Sequence, residues 1–249
     1  MCHPEVPAGQ PTPHVVAQEV QIALRGGDVM PAMLAQPEGG SGPGVVIVHD
    51  IFGRSPFYEN LAGRLAMAGF KALLPELFFR LGPLRERSLE LAFARRGQLD
   101  EVVALEDLSA ALDTLNGRRG VVGFCMGGTL ALNLPARRDD LATVCYYGFV
   151  AGEAHASARS APAPIDEINR MAGPILGFWG DQDPGVKMTD IARFADLAAQ
   201  HGVAFEHTIY PGLGHAFMAQ SGLDPKHPAY QMACESWSRT LDFFRLHLA

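Results

Sequence analysis

Two periods alternate along this chain. Short, continuous apolar runs ("GVVIV", "FKALLP", "GVVGF", "LATVCYYG" and "PILGFWG") recur between segments whose apolar residues fall three and four apart. A run of that kind suits a parallel strand buried on both faces, and the three-four spacing suits a helix covering it. "YENLAGRLAMAG" and "MTDIARFADLAAQHG" have the helical spacing and each ends on glycine. Residues 84–116 are expected to be mostly helical with a break near Gly97, and a last helix to cover Pro228 to Leu246. The first two runs, "HVVAQEVQIAL" and "MPAMLAQP", alternate more and are joined by a Gly-Gly-Asp turn, which suits an antiparallel edge. The fold class expected is α/β, a mostly parallel, doubly wound sheet with helices on both faces. Residues 15–249 are expected to form a single domain and the proline-rich residues 1–14 a flexible arm. In such sheets the active site lies beyond the carboxyl ends of the strands.

One cysteine falls at that edge. In "VVGFCMGGTLAL", Gly123-Phe124-Cys125-Met126-Gly127 fits G-x-C-x-G between a strand and a helix. The nucleophile elbow of α/β hydrolases is G-x-S-x-G in the same context. The turn is tight, so small residues must flank the reactive one. A thiol at a helix N-terminus is stabilised as the anion. The plainer reading is a structural cysteine beside glycines needed for packing. A phosphate loop is a third reading, but the Lys-Ser/Thr that should follow is missing.

A nucleophile needs a base, and the base an orienting acid, in the chain order nucleophile, acid, histidine for this fold. "FWGDQDPGV" offers Asp181 and Asp183 just past a strand, and "YPGLGHAF" offers His215 in a glycine-rich loop past the next. Of the other histidines, His3 and His14 lie in the arm and His201 ends a helix. His207 is within a strand, and His227 and His247 belong to the terminal helix region. His155 sits in a polar loop. His49 ends a strand at the right edge but precedes the cysteine.

Composition narrows the field without changing it. Of 249 residues, 48% are hydrophobic and 19% charged, which supports a sizeable core. The net charge of −7 and the lack of a dense basic run argue against nucleic acid as partner. The arginine-rich pieces "RLGPLRERS" and "FARRGQ" read as solvated helix faces. No apolar run reaches membrane-spanning length and the N-terminus lacks a secretory signal, so neither membrane nor export is expected. Cys2, Cys125, Cys145 and Cys234 are scattered, which suits a reducing cytoplasm rather than a disulfide framework. Cys145 and Cys234 read as core, and Cys2 beside His3 as tail. No metal site is expected.

"HDIFG", "GFCMGG", "GDQDPGV" and "GLGHAF", with "LPELFFR" and "YYG", together resemble the dienelactone hydrolase family of α/β hydrolases, from about Val16 to the last helix. The resemblance implies a triad of Cys125, Asp183 and His215. The family's G-x-x-D-x-x-V is met by Gly180, Asp183 and Val186, which leaves Asp181 as a turn or cap residue. It implies an oxyanion hole from the backbone N–H groups of Met126 and Ile51. Asp50 stands where family members carry a glutamate that tunes the thiol; a loop-capping aspartate is the alternative. The family's carboxylate-binding arginines are replaced by Ala219 and Leu89, and the serine after the histidine by Ala216. Arg85, Arg87, Arg95 or Arg96 could stand in, although surface charges are the plainer reading. Phe52, Phe78, Phe79, Phe93, Tyr147 and Phe217 could line an apolar pocket or be plain core.

The function expected is a cysteine-dependent hydrolase of a small ester or lactone. It would work without cofactor, as a monomer, on a substrate other than the standard dienelactone. The alternatives are transfer of the acyl group to another acceptor, a non-catalytic ligand-binding protein, and a redox-sensing thiol with a resolving cysteine nearby.

Overall fold

The computed structural model describes residues 11–153, 157–222 and 225–248. Cys2, His3 and His155, and most of the expected arm, lie outside the described residues. Of that arm, Thr12 is described, and its side chain lies directly over Gly63.

Eight strands form one sheet: β1 (Val15–Ala23), β2 (Val29–Pro37), β3 (Gly44–Val48), β4 (Lys71–Pro75), β5 (Arg119–Phe124), β6 (Leu141–Tyr146), β7 (Ile175–Gly180) and β8 (Phe205–Tyr210). Their order is β1-β2-β4-β3-β5-β6-β7-β8. β1 pairs antiparallel with β2 and β2 with β4, while every other pairing is parallel. The sheet is therefore the doubly wound, mostly parallel α/β sheet that the apolar runs predict. β3, β6 and β7 are buried at every position, whereas at the two edges β1 is largely exposed and β8 mostly half-buried or exposed.

Among the described residues six α-helices cover the sheet: α1 (Pro56–Met67), α2 (Leu89–Arg96), α3 (Glu101–Asp113), α4 (Met126–Asn133), α5 (Met188–His201) and α6 (Tyr230–Leu248). The expected helical region 84–116 divides into α2 and α3. It begins only after Ser88, whose hydroxyl accepts the N–H of Leu91, and restarts at Asp100, whose carboxylate accepts the N–H of Val103. Both are N-caps, which satisfy donors that a helix leaves open. Alternation along β5 sends successive side chains to opposite faces. A Cβ on Gly120 would meet Phe244 and Leu248 of α6, while one on Gly123 would meet α4. The two helices thus sandwich the strand that leads into the elbow.

Where the parallel strands end, their aromatic residues stack across the sheet. Phe124 is paired in register with Tyr146, and Tyr146 with Phe178. The ring centroids are 4.9 Å apart at each step, and Tyr210 of β8 continues the row 6.2 Å from Phe178. The Tyr146 hydroxyl lies 2.8 Å from the Thr240 hydroxyl, which ties the row to α6. This buried shelf lies directly beneath the loops at the carboxyl edge. Phe178→Ala should lower stability by about 3–5 kcal/mol in urea unfolding, because the surrounding rings cannot collapse into the space left.

Candidate active site

The elbow is built by backbone contacts that tolerate no side chain. Cys125 has φ 57° and ψ −121°, an unfavourable conformation for an L-residue, and directly precedes α4. A Cβ on Gly123 would overlap the carbonyl of Gly127. One on Gly127 would overlap the carbonyl oxygens of both Val48 and His49. Gly128 and Gly148 make a second close pair, where a Cβ on Gly148 would stand 2.6 Å from the Gly128 carbonyl carbon. The Cys125 N–H donates to the Tyr146 carbonyl at 3.0 Å, which fastens the turn to β6. Among the described residues, four non-glycine positions have positive φ: His14, Cys125, Tyr147 and Ala216. The last three all lie at this edge of the sheet. Strain of this kind persists only where surrounding structure enforces it, and it clusters at functional sites.

Because Gly127 lies against the carbonyls of residues 48 and 49, the loop after β3 touches the start of α4. The two candidate oxyanion donors belong to these two segments. Met126 is the first residue of α4, so its N–H has no acceptor within the helix. Ile51 sits in a tight turn in which the Gly53 N–H donates to the Asp50 carbonyl at 3.1 Å. Asp50 is fully buried; its carboxylate accepts the Phe52 N–H at 2.9 Å, and its own N–H donates to the Tyr58 hydroxyl at 3.2 Å. The loop-capping reading of Asp50 thus has a visible contact.

The acid and the histidine meet. His215 Nδ1 lies 2.6 Å from Asp183 Oδ2, and Asp183 Oδ1 accepts the Gly185 N–H at 2.9 Å. Both side chains are buried, Asp183 completely. A carboxylate so placed fixes the imidazole with Nδ1–H toward the acid and leaves Nε2 to exchange protons. Asp181 is exposed; it accepts the Gly212 N–H at 2.7 Å and so caps the neighbouring loop. The Tyr147 ring packs 4.9 Å from the His215 ring, and Phe217 lies 5.5 Å from Tyr147. Phe149, which the sequence reading does not single out, stacks on His215 at 5.7 Å. Its one signal is its place two residues after Tyr147.

The other aromatic candidates separate. Phe52 is buried in the loop after β3, with the Arg87 guanidinium 5.2 Å from its ring. Phe79 is half-buried under Arg80, and Phe93 on α2 is 37% exposed. Phe78 is core, stacked on His49.

Two expectations about arginines need correction. Arg95 and Arg96 are not surface charges; they are only 7% and 1% exposed. Arg95 donates to the Gly82 carbonyl at 3.1 Å and to the Ile51 carbonyl at 3.0 Å, and its guanidinium covers the Phe78 ring at 4.0 Å. Burial pulls it below the usual arginine range, while Glu76 acts in the opposite sense. Arg96 is hydrogen-bonded to Glu101 and lies 3.4 Å from Glu153. Burial pushes Glu153 up, and Arg96 opposes that shift. α2 therefore turns its last residues inward, because each finds acceptors there. Arg85 and Arg87 remain exposed as expected.

Cys145 is fully buried in β6, as expected of core, and burial pushes its thiol up to about 12. Cys234 is only half-buried. Among the described residues no group of three or more His, Cys, Asp or Glu side chains could hold a metal ion, and no helix is long and apolar enough to cross a membrane.

The model of the dienelactone hydrolase family matches residues 30–248. "Carboxymethylenebutenolidase" of Rhodococcus opacus is 36% identical over 253 residues, covering 100% of this chain and 98% of the relative. A Bradyrhizobium protein named "Probable 2-oxo-3-(5-oxofuran-2-ylidene)propanoate lactonase" is 33% identical over 87% of this chain and 89% of its own length. The crystal structure described as "Putative Dienelactone Hydrolase from Klebsiella pneumoniae" superposes with a TM-score of 0.83 at 27% identity, covering 93% of this chain and 98% of that one.

Two substitutions test the construction of the site. Gly127→Ala should cost on the order of 3 kcal/mol or more, since backbone must move to admit the methyl group. Its unfolding midpoint and soluble yield should both fall. Arg96→Ala should cost about 3–5 kcal/mol by leaving two buried carboxylates without their cation, a loss that denaturant melts would show.

Proposed function

We propose, from the premise that the chain belongs to the dienelactone hydrolase family, that it hydrolyses a small ester or lactone with Cys125 as nucleophile. The observation that carries the nucleophile is the conformation of Cys125. A merely structural cysteine does not need a strained turn ahead of a helix, hemmed by glycines that no other residue could replace. The paired Asp183 and His215, at the same edge, supports the rest.

The chemistry then runs as acyl transfer. Cys125 Sγ, as thiolate, adds to the substrate carbonyl, and the N–H groups of Ile51 and Met126 face the oxygen that becomes charged. The C–O bond to the leaving alkoxide breaks as His215 delivers a proton to it, leaving an acyl-thioester. Water, giving a proton to His215, attacks the thioester; the acid departs and the thiolate returns. Asp183 holds the imidazole and stabilises its charged form. In a lactone the leaving alkoxide stays tethered to the acyl group. Tyr147, Phe149 and Phe217 surround the histidine with apolar surface. Phe52, Phe79 and Phe93 are the other proposed pocket residues. Asp50 is proposed to act on the thiol through the loop it caps.

The substrate we favour lacks a carboxylate handle. Ala219 and Leu89 offer no cation, Arg95 is bound to protein carbonyls, Arg96 is already faced by Glu101 and Glu153, and of the exposed Arg85 and Arg87 the latter lies over the Phe52 ring. The redox reading is disfavoured because Cys145, in the strand beside the elbow, is a neutral, fully buried thiol.

Hydrolysis of p-nitrophenyl acetate and a panel of neutral lactones, in reducing buffer, tests the reading. Cys125→Ala should lose roughly 10³-fold or more in kcat, and Asp183→Asn roughly 10²–10⁴-fold. Mass spectrometry of quenched wild-type enzyme should find the acyl group on Cys125. Equal turnover by wild type and Cys125→Ala would end the hydrolase reading of this cysteine.

A further inference from the structure

His49 is fully buried at the end of β3, and the triad does not use it. Its ring nitrogens each meet one backbone group. Nδ1 lies 2.9 Å from the carbonyl oxygen of Asp50, and a carbonyl can only accept, so Nδ1 carries a proton. The Leu77 N–H points at Nε2 at 3.1 Å, so Nε2 presents a lone pair. Together these contacts put a proton on Nδ1. The Phe78 ring stacks on it at 5.6 Å. Glu76 Oε1 lies 3.4 Å from Nε2; burial raises the Glu76 carboxyl, but His49 and the N–H groups of Phe78 and Arg54 together hold it down at about 2.

The Asp50 carbonyl belongs to the same peptide unit as the Ile51 N–H. In a planar trans peptide these two groups point in opposite directions. A donor that holds the carbonyl therefore aims the N–H. The next peptide unit is held at both ends as well: Arg95 takes the Ile51 carbonyl at 3.0 Å and Asp50 takes the Phe52 N–H at 2.9 Å.

We infer that His49 is a positioning residue for catalysis: its Nδ1–H grips the 50–51 peptide and orients and polarises the Ile51 N–H as an oxyanion donor. The inference rests on the hydrolase reading above. An amide whose oxygen accepts a hydrogen bond donates more strongly through its nitrogen, and hydrogen bonds in series reinforce one another. A donor fixed beforehand also costs no reorganisation when the oxyanion forms. The Asp50 carbonyl keeps the Gly53 N–H at 3.1 Å in any case, so the turn survives loss of the imidazole and its aim is what changes.

The test compares wild type, His49→Leu, His49→Asn and Cys125→Ala on p-nitrophenyl acetate. Iodoacetamide alkylation of Cys125 is measured in parallel, since thiol alkylation makes no oxyanion. His49→Leu should lose about tenfold in kcat, less than the loss of a whole oxyanion donor, with KM and the alkylation rate within about twofold of wild type. His49→Asn, which keeps a donor at the δ position, should recover most of that kcat. Should kcat be unchanged in His49→Leu, or should kcat, KM and alkylation all deteriorate together in both variants, the inference is overturned while Cys125-dependent turnover in wild type leaves the hydrolase reading intact. If wild type and Cys125→Ala turn over alike, both fall. ¹⁵N NMR of the imidazole in the wild-type enzyme gives a readout that needs no variant. A protonated Nδ1 at neutral pH supports the inference, and the opposite tautomer, with Nδ1 unprotonated, overturns it.

Discussion

The contact on which the site depends is backbone on backbone. Gly127, in the first turn of α4, lies against the carbonyl oxygens of Val48 and His49 at the end of β3. No side chain fits between them. The contact brings the loop after β3 to the N-terminus of α4, and with it the two segments that carry the N–H groups of Ile51 and Met126. It also forces the chain to turn at Cys125 within one residue, which is where the positive φ comes from. The cost of that turn, on the order of 1–3 kcal/mol, is offset by what lies around it. All eight residues of α4 are buried, the Cys125 N–H is bonded to β6, and the aromatic row from Phe124 to Tyr210 supports the strand ends.

Much of this was legible in the sequence, because it is written in local patterns. The apolar runs identify the strands since a strand buried on both faces has no polar alternation to hide it. The elbow is visible because a turn this tight leaves only glycine at 123 and 127. Asp183 and His215 were findable because each follows a strand in the order the fold imposes, and the choice against Asp181 needed the family pattern. The structure adds the reason for that choice: Asp181 faces solvent and the Gly212 N–H, while Asp183 faces His215.

What was not legible concerns partners distant in sequence. Arg95 and Arg96 end a helix with a polar composition, and nothing local tells a solvated arginine from one that meets the Ile51 carbonyl 44 residues upstream or Glu153 far downstream. His49 reads as a strand-end histidine until Leu77, from the end of the next strand in the chain, supplies the N–H that defines its tautomer. Phe149 lies in the loop after β6, and its partner in space is His215. In each case the side chain's role is set by a group that the fold, not the sequence neighbourhood, delivers.

The two buried cysteines, Cys125 in the turn after β5 and Cys145 in β6, show how little burial alone decides. Cys125 and Cys145 are 3% and 0% exposed. Cys145 points from near the end of β6 into the space left by Gly128 and Gly148, where a Cβ on either glycine would stand 3.2 and 2.7 Å from its sulfur. Burial there disfavours the charged thiolate and holds the proton on. Cys125 directly precedes α4, where unsatisfied N–H groups and the helix dipole favour an anion. The glycines that let α4 approach β6 thus do two things at once. They admit an inert sulfur beneath the helix, and they place another at the helix N-terminus, where a thiolate can be stabilised.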